Sequence, residues 1–329
     1  MLTLPLPNMR SPKVCIIGSG NVGGTLAHRL VENDLADVVL YDILQGKPQG
    51  IALDLIQARA IVNHARQIIG TNDFSDTKDA DIIVLTAGVT RKEGMTRNDL
   101  LRINASIVKD VIPRAIAQSP DAILIVVTNP LDIMTYLAWQ VSGLPPHRVM
   151  GMAGVLDAAR FQTFIGMELG ISDADIRAMV LGAHGDTMVP LPRFSTVNGV
   201  PITKLMSQNA IASIVQRTLH GGTEVVKLMQ TSAYFAPSAA ACAMIRSILY
   251  DQHRLMFTSA YLTGQYGLTD LCIGVPVKLG KSGIEQIIEL QLTSDETSAL
   301  HNSVTSIREI INLPQQKLKS STLCLLNTP

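Results

Sequence analysis

The chain has 329 residues, 47% of them hydrophobic and 16% charged, which is enough to bury two cores and predicts two globular lobes. Lys plus Arg and Asp plus Glu are equal at 27 each, so no net charge favours nucleic acid or anionic lipid as a partner. The apolar stretches are broken well before the roughly 20 residues of a membrane span, so we expect no membrane association.

Short apolar runs alternate with segments of helical periodicity from residue 13 to residue 154. This pattern predicts a doubly wound parallel sheet with helices on both faces, an α/β fold that gathers ligands at the carboxyl ends of its strands. Residues 1–12 lack the features of a secretion signal and predict an N-terminal extension. The predicted strands are Val14–Gly18, Asp37–Tyr41, Gln67–Gly70, Asp81–Gly88, Ala122–Asn129 and Arg148–Ala153.

The pattern changes after residue 154, so we place a second domain of α+β type at residues 155–315 and a loose tail at residues 316–329. A helix should end at Gly170, because glycine is common just past a helix end. A long helical segment should be interrupted at Gly221-Gly222 and at Pro237. The later predicted elements are helix Val155–Leu169, strands Arg177–Leu181 and Ser195–Val197, helical segment Asn209–Tyr250, hairpin Leu271–Leu279 with its turn Gly280–Gly283, and helix Asp295–Asn312.

The four cysteines are scattered, without a C-x-x-C pair. This spacing argues against a disulfide framework or a zinc site, so we expect no metal, packing roles for the thiols and a reducing, cytoplasmic compartment. The cysteines are Cys15, Cys242, Cys272 and Cys324.

A glycine-rich loop, G-x-G-x-x-G, follows the first predicted strand and opens a helix. In this context, which typifies the Rossmann fold, the glycines allow a tight turn, close approach of a pyrophosphate and helix–strand packing. Asp42 ends the second strand nineteen residues after Gly23, where its carboxylate can bind ribose hydroxyls and repel a 2′-phosphate, so NAD is expected rather than NADP. The loop residues are Gly18, Ser19, Gly20, Asn21, Val22 and Gly23.

Two more strand ends should face the dinucleotide, because both finish apolar runs with small or amide residues. The alternative is ordinary strand termination. They are Thr86, Ala87 and Gly88, and Val127, Thr128 and Asn129.

Asp157 and Arg160 lie three residues apart on a largely apolar predicted helix, which suggests buried, functional charges rather than a solvated ion pair. His184 follows a predicted strand between Gly182 and Gly185, and its imidazole can exchange a proton near neutral pH. A surface histidine is the alternative. Asp157 would orient the imidazole and stabilise its charged form.

Arg91 and Arg97 share one short loop. Unless they are simply solvated, two guanidinium groups predict a small dianionic substrate, since each can hold a carboxylate through two hydrogen bonds. For hydride transfer to a carbonyl, Arg160 would bind the substrate carboxylate, Arg97 would polarise the carbonyl and Arg91 would bind a second carboxylate.

In their order, these motifs resemble the lactate/malate dehydrogenase superfamily from about residue 13 to residue 312, and within it the lactate-dehydrogenase-like bacterial malate dehydrogenases. The resemblance implies His184 and Asp157 as catalytic residues, Arg91, Arg97, Arg160 and Asn129 as substrate-binding residues, and Asn104 and Asn129 at positions that contact cofactor or substrate. It also implies a mobile loop, a dicarboxylate substrate, a tricarboxylic acid cycle reaction and a homo-oligomer, a tetramer rather than a dimer.

Arg91 is the deciding position of the resemblance, because lactate dehydrogenases usually have glutamine there. Met95 supports a malate enzyme, since lactate enzymes commonly have an acid at that point. The sequence departs from many malate enzymes at Glu93, where they carry proline. An added anion there would loosen loop closure or weaken the attraction for a dianion, unless its side chain faces solvent.

Three alternatives remain. Lactate dehydrogenase activity would use the same catalytic residues. A non-catalytic NAD-binding sensor would not need all five of the site residues His184, Asp157, Arg160, Arg91 and Arg97. An NAD-dependent glycosidase would need a metal-binding Cys/His set, which the scattered cysteines do not supply.

Overall fold

The six strands of the N-terminal half form one parallel sheet in this computed structural model, which describes residues 10–90 and 94–311, without the side chains of 97, 306, 310 and 311. The strand order β3-β2-β1-β4-β5-β6 is doubly wound, as predicted. The strands are β1 Lys13–Ile17, β2 Asp37–Tyr41, β3 Ile68–Thr71, β4 Ile82–Leu85, β5 Ile123–Val126 and β6 Val149–Gly151, and the helices of this half are α1 Asn21–Glu32, α2 Lys47–Val62, α3 Arg97–Gln118 and α4 Leu131–Ser142.

Strand β1 shows why these apolar runs are strands. Its side chains alternate between two cores, with Val14 and Ile16 in one and Cys15 and Ile17 in the other. A strand buried on both faces reads as a continuous apolar run, because successive side chains point to opposite faces. The sheet therefore lies between two helical layers. The helices cover its faces and not the ends of its strands, where a site can form.

Three antiparallel strands extend the same sheet beyond β6 to nine strands. Ser259 of β12 (Arg254–Thr263) pairs with Gly151 of β6, where a side chain at Gly151 would approach Ser259 Cβ at 2.8 Å. The predicted hairpin is confirmed as β13 and β14, whereas β12 was not predicted, because fully buried Thr258 and Ser259 interrupt its apolar pattern. These strands are β12 Arg254–Thr263, β13 Thr269–Gly280 and β14 Gly283–Ile287.

The second half adds helices and short strands. Helix α5 ends at Leu169 and is stopped by Gly170, which has a left-handed φ of 64°, as predicted. The predicted strand 177–181 is wrong as a single element, because Arg177 at one end pairs with Thr196 and Leu181 at the other end pairs with Val189. The elements are α5 Gly154–Leu169, β7 Ile176–Arg177, β8 Val180–Leu181, β9 Val189–Pro190, β10 Thr196–Val197, β11 Val200–Pro201, α6 Gln208–Met229, α7 Phe235–Leu249 and α8 Ser294–Ile311.

The predicted helix interruption near Gly221-Gly222 is wrong. Helix α6 is continuous through both glycines, and the break falls at residues 230–234. Pro237 lies in the first turn of α7, where its missing N–H would have no partner in any case.

No helix within residues 10–90 and 94–311 is long and apolar enough to cross a bilayer. Three of the cysteines, Cys15, Cys242 and Cys272, are buried free thiols. Burial raises the pKa of Cys15 to about 12, so this thiol packs as a small apolar group. Cys324, residues 1–9 of the predicted N-terminal extension and the whole predicted C-terminal tail lie outside the described residues.

Candidate active site

A cleft of about 1110 Å³ opens at the carboxyl ends of β4, β5 and β6, the edge at which doubly wound sheets bind ligands. Helices α6 and α7 form its other wall. The cleft therefore lies where both halves of the chain contribute side chains. Its lining includes Val22, Thr86, Gly88, Val127, Thr128, Asn129, Met152, Arg160, His184, Thr223, Val226 and Pro237.

The glycine-rich loop has the close approaches that its three glycines imply. Gly18 has a φ of +111°, and a Cβ there would lie 2.6 Å from the Ala87 nitrogen. A Cβ at Gly23 would lie 1.9 Å from the Gly18 oxygen, whereas one at Gly20 would meet nothing within 4 Å. The first and third glycines thus permit backbone packing, and the second leaves open space beside the N-terminus of α1, where Asn21 is the first residue.

Asp42 is tied to this loop. Its Oδ2 accepts hydrogen bonds from the Ser19 backbone N–H at 2.6 Å and the Ser19 hydroxyl at 2.8 Å, and Oδ1 accepts from Leu44 N–H at 3.0 Å. Burial disfavours the carboxylate, but these hydrogen bonds outweigh burial and lower the pKa of Asp42. An ionised carboxylate is therefore fixed beside the loop, with lone pairs left for ribose hydroxyls.

The two predicted strand ends are joined to each other. Thr86 Oγ1 donates to the Gly18 oxygen at 2.9 Å, and Thr128 Oγ1 donates to the Ala87 oxygen at 2.7 Å. A Cβ at Gly88 would approach Thr128 Cγ2 at 2.6 Å. The glycine-rich loop and the two strand ends are thus joined by hydrogen bonds into one floor of the cleft.

Asn104 lies beneath the cleft rather than in it. It is fully buried, and its side chain exchanges hydrogen bonds with the backbone of Val89 and donates to the Asn129 oxygen at 2.6 Å. The side-chain amide is therefore committed to holding two cleft-lining segments in place.

His184, Asp157 and Arg160 form one hydrogen-bonded group. His184 Nδ1 lies 2.8 Å from Asp157 Oδ2, and Arg160 NH1 lies 3.2 Å from Asp157 Oδ1. Asp157 is 2% exposed. The helix α5 spacing brings Arg160 within its reach, whereas His184 comes from the loop after β8. The buried carboxylate leaves His184 Nε2 and most of the Arg160 guanidinium for the cleft, which both residues line.

The environment of His184 favours its protonated form. Burial lowers the pKa, but the charge and hydrogen bond of Asp157 and the charge of Asp132 together outweigh burial, so the pKa of His184 is raised. A raised pKa favours the protonated imidazole, which is the form that a proton donor to a carbonyl requires.

A second carboxylate lies at this histidine and was not predicted from the sequence. Asp132 of α4 accepts the His184 backbone N–H at 2.8 Å and the Ser259 hydroxyl at 2.6 Å. Asp132 is 4% exposed, and burial raises its pKa despite these two hydrogen bonds. Its position directly after the Asn129-Pro130 strand end was the available signal, whereas Ser259 lies on the unpredicted β12.

The flanking glycines of His184 have positive φ angles, +88° at Gly182 and +122° at Gly185. Gly182 forms a bridge to Gly274 of β13, where a Cβ at Gly274 would approach the Gly182 oxygen at 2.6 Å. The glycines therefore shape the backbone that presents His184, in addition to clearing space.

Gly221 and Gly222 make room for Arg160. A Cβ at Gly221 would lie 3.3 Å from Arg160 Cδ, and a Cβ at Gly222 would lie 3.7 Å from its NH2. These glycines, at which the sequence predicts a helix break, let α6 pass close to the guanidinium. Arg160 is held between Asp157 and the α6 backbone, with a side chain 16% exposed.

The arginine loop is described only in part. Arg91 and Glu93 lie outside the described residues, and of Arg97 only its backbone place, as the first residue of α3, is given. Thr96 and Asp99 form a reciprocal capping box that fixes this helix start, a device that satisfies free N–H groups. Loop residues Thr90, Gly94, Met95 and Thr96 line the cleft.

Comparison with known proteins identifies the family. The model of the NAD binding domain of lactate/malate dehydrogenases matches residues 12–151, and the model of their alpha/beta C-terminal domain matches residues 154–317. A malate dehydrogenase from Nostoc punctiforme is 57% identical over 308 residues, covering 93% of this chain and 94% of the relative.

Two solved structures are similar over most of their length. Malate dehydrogenase from Salinibacter ruber has a TM-score of 0.89 and 47% identity, covering 93% of this chain and 98% of that one. A lactate dehydrogenase from Cryptosporidium parvum was solved with lactic acid and nicotinamide adenine dinucleotide. It has a TM-score of 0.89 and 39% identity, covering 93% of this chain and 100% of that one. The chain belongs to the lactate/malate dehydrogenase family of oxidoreductases.

Proposed function

We propose that this chain is a malate dehydrogenase that reversibly interconverts (S)-malate and oxaloacetate with NAD. The observation that carries the proposal is the buried Asp157 carboxylate, which joins a histidine with a raised pKa to an arginine at the cleft. A proton donor and an anion-binding group are thereby held side by side. Malate dehydrogenases at 57% and 58% identity, each over more than nine-tenths of the chain, support the choice of acid.

The residues at the glycine-rich loop fit NAD. The open space at Gly20 would admit the pyrophosphate to the start of α1, where backbone N–H groups favour an anion. The ionised Asp42 would accept the ribose hydroxyls and repel a 2′-phosphate. When bound, the nicotinamide supplies or accepts the hydride.

The chain's own residues would bind the acid and move one proton. Arg160 would bind the carboxylate next to the carbonyl, because its remaining N–H donors are free to pair with two carboxylate oxygens. His184 would donate a proton from Nε2 to the carbonyl oxygen during reduction and recover it during oxidation. Asp157 would hold the imidazole by Nδ1 and stabilise its charge.

The two loop arginines complete the proposal. Arg97 would polarise the carbonyl oxygen, and Arg91 would bind the distal carboxylate that separates oxaloacetate from pyruvate. The lactate dehydrogenase from Cryptosporidium parvum has the same TM-score as the malate dehydrogenase from Salinibacter ruber. The fold is therefore common to both enzymes, and the choice of acid rests on single side chains.

We also propose a cytoplasmic homo-oligomer, a tetramer rather than a dimer. Exposed apolar side chains on α2, including Leu53 at 55% and Ile61 at 85% exposure, support a subunit contact there, since exposed apolar patches mark interaction sites. The buried free thiols agree with a reducing compartment. Light scattering from the eluted protein should give four chain masses, and a monomer would refute the assembly.

The test of the reaction is NADH oxidation by the purified chain with oxaloacetate, pyruvate and 2-oxoglutarate in parallel. We expect oxaloacetate to be reduced with a kcat/KM at least about a hundredfold higher than that for pyruvate, because pyruvate lacks the distal carboxylate and an unpaired buried charge costs about 3–5 kcal/mol. Comparable values with pyruvate would refute a malate-specific enzyme. Inactivity with all three acids, with NADH still bound, would favour the sensor.

A further inference from the structure

A second cavity, of about 610 Å³, lies at the C-terminal end of α4. Its walls come from that helix end and from the start of β13. It shares no lining residue with the cleft that holds His184. The lining consists of Tyr136, Trp139, Gln140, Gly143, Leu144 and Asp270.

Asp270 reaches this cavity because of a β-bulge. Leu262 of β12 pairs with Leu271 of β13, but Thr263 pairs with Thr269, so Asp270 has no partner in the ladder. Its φ of +55° is left-handed, a conformation that costs energy in a residue other than glycine. Because a bulge turns a side chain away from the regular sheet direction, the carboxylate is placed against α4.

Two tyrosine hydroxyls fix this carboxylate. Asp270 Oδ1 accepts from Tyr136 at 2.9 Å and from Tyr261 at 3.2 Å. Burial and the hydrogen bond to Asp270 raise the pKa of Tyr136 to about 12, so its hydroxyl stays protonated as a donor. Both donors meet one oxygen, which leaves Oδ2 without a hydrogen bond to any residue that the structure describes.

Aromatic rings form the wall beside the carboxylate. The Trp139 and Tyr261 rings are stacked, with centroids 4.0 Å apart and an interplanar angle of 28°. Tyr136 lies 5.7 Å from Trp139 between centroids. The negative face of an aromatic ring attracts cations, and tryptophan does so most strongly.

The end of α4 adds a third negative feature. The helix ends at Gly143 with a left-handed φ of 67°, and no basic residue lies in its last turn. The C-terminal end of a helix carries a partial negative charge. Among residues 10–90 and 94–311, no Lys, Arg or His side chain forms an ion pair with Asp270.

From these features we propose that the cavity binds an alkylguanidinium group. The planar cation would lie on the Trp139 ring and donate to Asp270 Oδ2 beside the α4 end, because guanidinium stacks on aromatic faces and pairs with carboxylates. The group could belong to a free small molecule or to an arginine of a second copy of this chain. Both sources present the same guanidinium group to the cavity. They differ in how the Trp139 emission should depend on protein concentration.

Trp139 is the one tryptophan of the chain, so selectively excited fluorescence reports on this cavity alone. Methylguanidinium chloride should change the emission with saturation in the millimolar range. Its neutral analogue N-methylurea, and sodium chloride at equal ionic strength, should not. A linear change shared by all three additives would overturn the proposal.

Asp270→Asn should weaken methylguanidinium binding roughly fivefold, the loss expected for one exposed charge contact. Tyr136→Phe, which keeps the ring and removes one donor to the carboxylate, should weaken binding by a smaller factor. Asp121→Asn removes a carboxylate that is 96% exposed and should bind like the parent. Equal affinity in the parent and Asp270→Asn would overturn the site.

Dilution of the protein without added ligand distinguishes the two sources of the cation. If an arginine of a second copy occupies the cavity, dilution should change the Trp139 emission and Asp270→Asn should weaken self-association. If the ligand is a free molecule, emission should not depend on protein concentration and methylguanidinium should still bind. If dilution leaves the emission unchanged and methylguanidinium does not bind, the proposal is refuted, whatever the outcome of the malate assay.

Discussion

His184 Nδ1 lies 2.8 Å from Asp157 Oδ2, and that carboxylate is almost fully buried. The same carboxylate holds Arg160 through its other oxygen. One buried anion therefore stabilises both the protonated imidazole and the guanidinium beside it. Since a buried charge is costly without partners, loss of Asp157 should disturb both cations.

Asp157→Asn should move the ionisation of His184 to lower pH. The native pKa is raised by Asp157 against the opposing effect of burial, so with a neutral side chain burial should dominate and lower it. Oxaloacetate reduction needs the protonated imidazole, so its kcat/KM should begin to fall at a lower pH. Malate oxidation needs the neutral imidazole and should reach its plateau at a lower pH.

The control for this shift is His184→Asn, in which the same ionisation should disappear from both profiles. Profiles measured in both directions separate the pKa effect from a simple loss of activity. An unchanged ionisation in Asp157→Asn would mean that another group sets the protonation of the imidazole.

Asp132→Ala should lower both stability and turnover. It would leave the buried Ser259 hydroxyl and the His184 backbone N–H without their acceptor, which costs about 1–3 kcal/mol for a buried donor. The His184 backbone would loosen, so kcat should fall more than KM rises. Urea unfolding and steady-state kinetics check both effects, with Ser259→Ala as the milder control.

Gly222→Val should weaken substrate binding without unfolding the protein. The added methyl groups would crowd Arg160 NH2, which lies 3.7 Å from an added Cβ. We expect the KM for oxaloacetate to rise about tenfold, equivalent to about 1.4 kcal/mol. Gly222→Ala makes only ordinary contact, and its better helix propensity should stabilise α6 by up to about 1 kcal/mol. Equal KM values in parent and Gly222→Val would contradict this.

Asp42→Asn should weaken NADH binding and reduce the preference over NADPH. The substitution removes the charge that accepts from Ser19 and would accept from the ribose, and a hydrogen bond to a charged group contributes about 1.5–3 kcal/mol. The NADH dissociation constant should rise about tenfold or more. Asp37→Asn, at the far end of the same strand, is the matched control. Unchanged selectivity would remove Asp42 from the cofactor site.

The parallel sheet was predictable because its inner strands are buried on both faces and read as apolar runs, as in Val14–Ile17. Strand β12 was not, because Thr258 and Ser259 are buried only through tertiary contacts that the local pattern does not contain. The helix break predicted at Gly221 and Gly222 was wrong for the same reason. Their low helix propensity is overridden by the need for α6 to pass close to Arg160.

The charged group of the site was readable from spacing, since Asp157 and Arg160 fall on one helix face and His184 follows a strand. Asp132 was not recognised, because its contact with the His184 backbone joins residues 52 positions apart in the chain. Asn104 was identified only by resemblance, and its buried amide supports the cleft from below.

The most direct test of the proposed substrate is the ratio of kcat/KM for oxaloacetate to that for pyruvate in Arg91→Gln. Lys92→Gln, which removes a neighbouring loop cation, is the matched control. If Arg91 binds the distal carboxylate, its loss costs about 3–5 kcal/mol, so the value for oxaloacetate should fall about a hundredfold to ten-thousandfold. The relative rate with pyruvate should rise, while Lys92→Gln keeps the parent ratio. An unchanged ratio in Arg91→Gln would contradict the account.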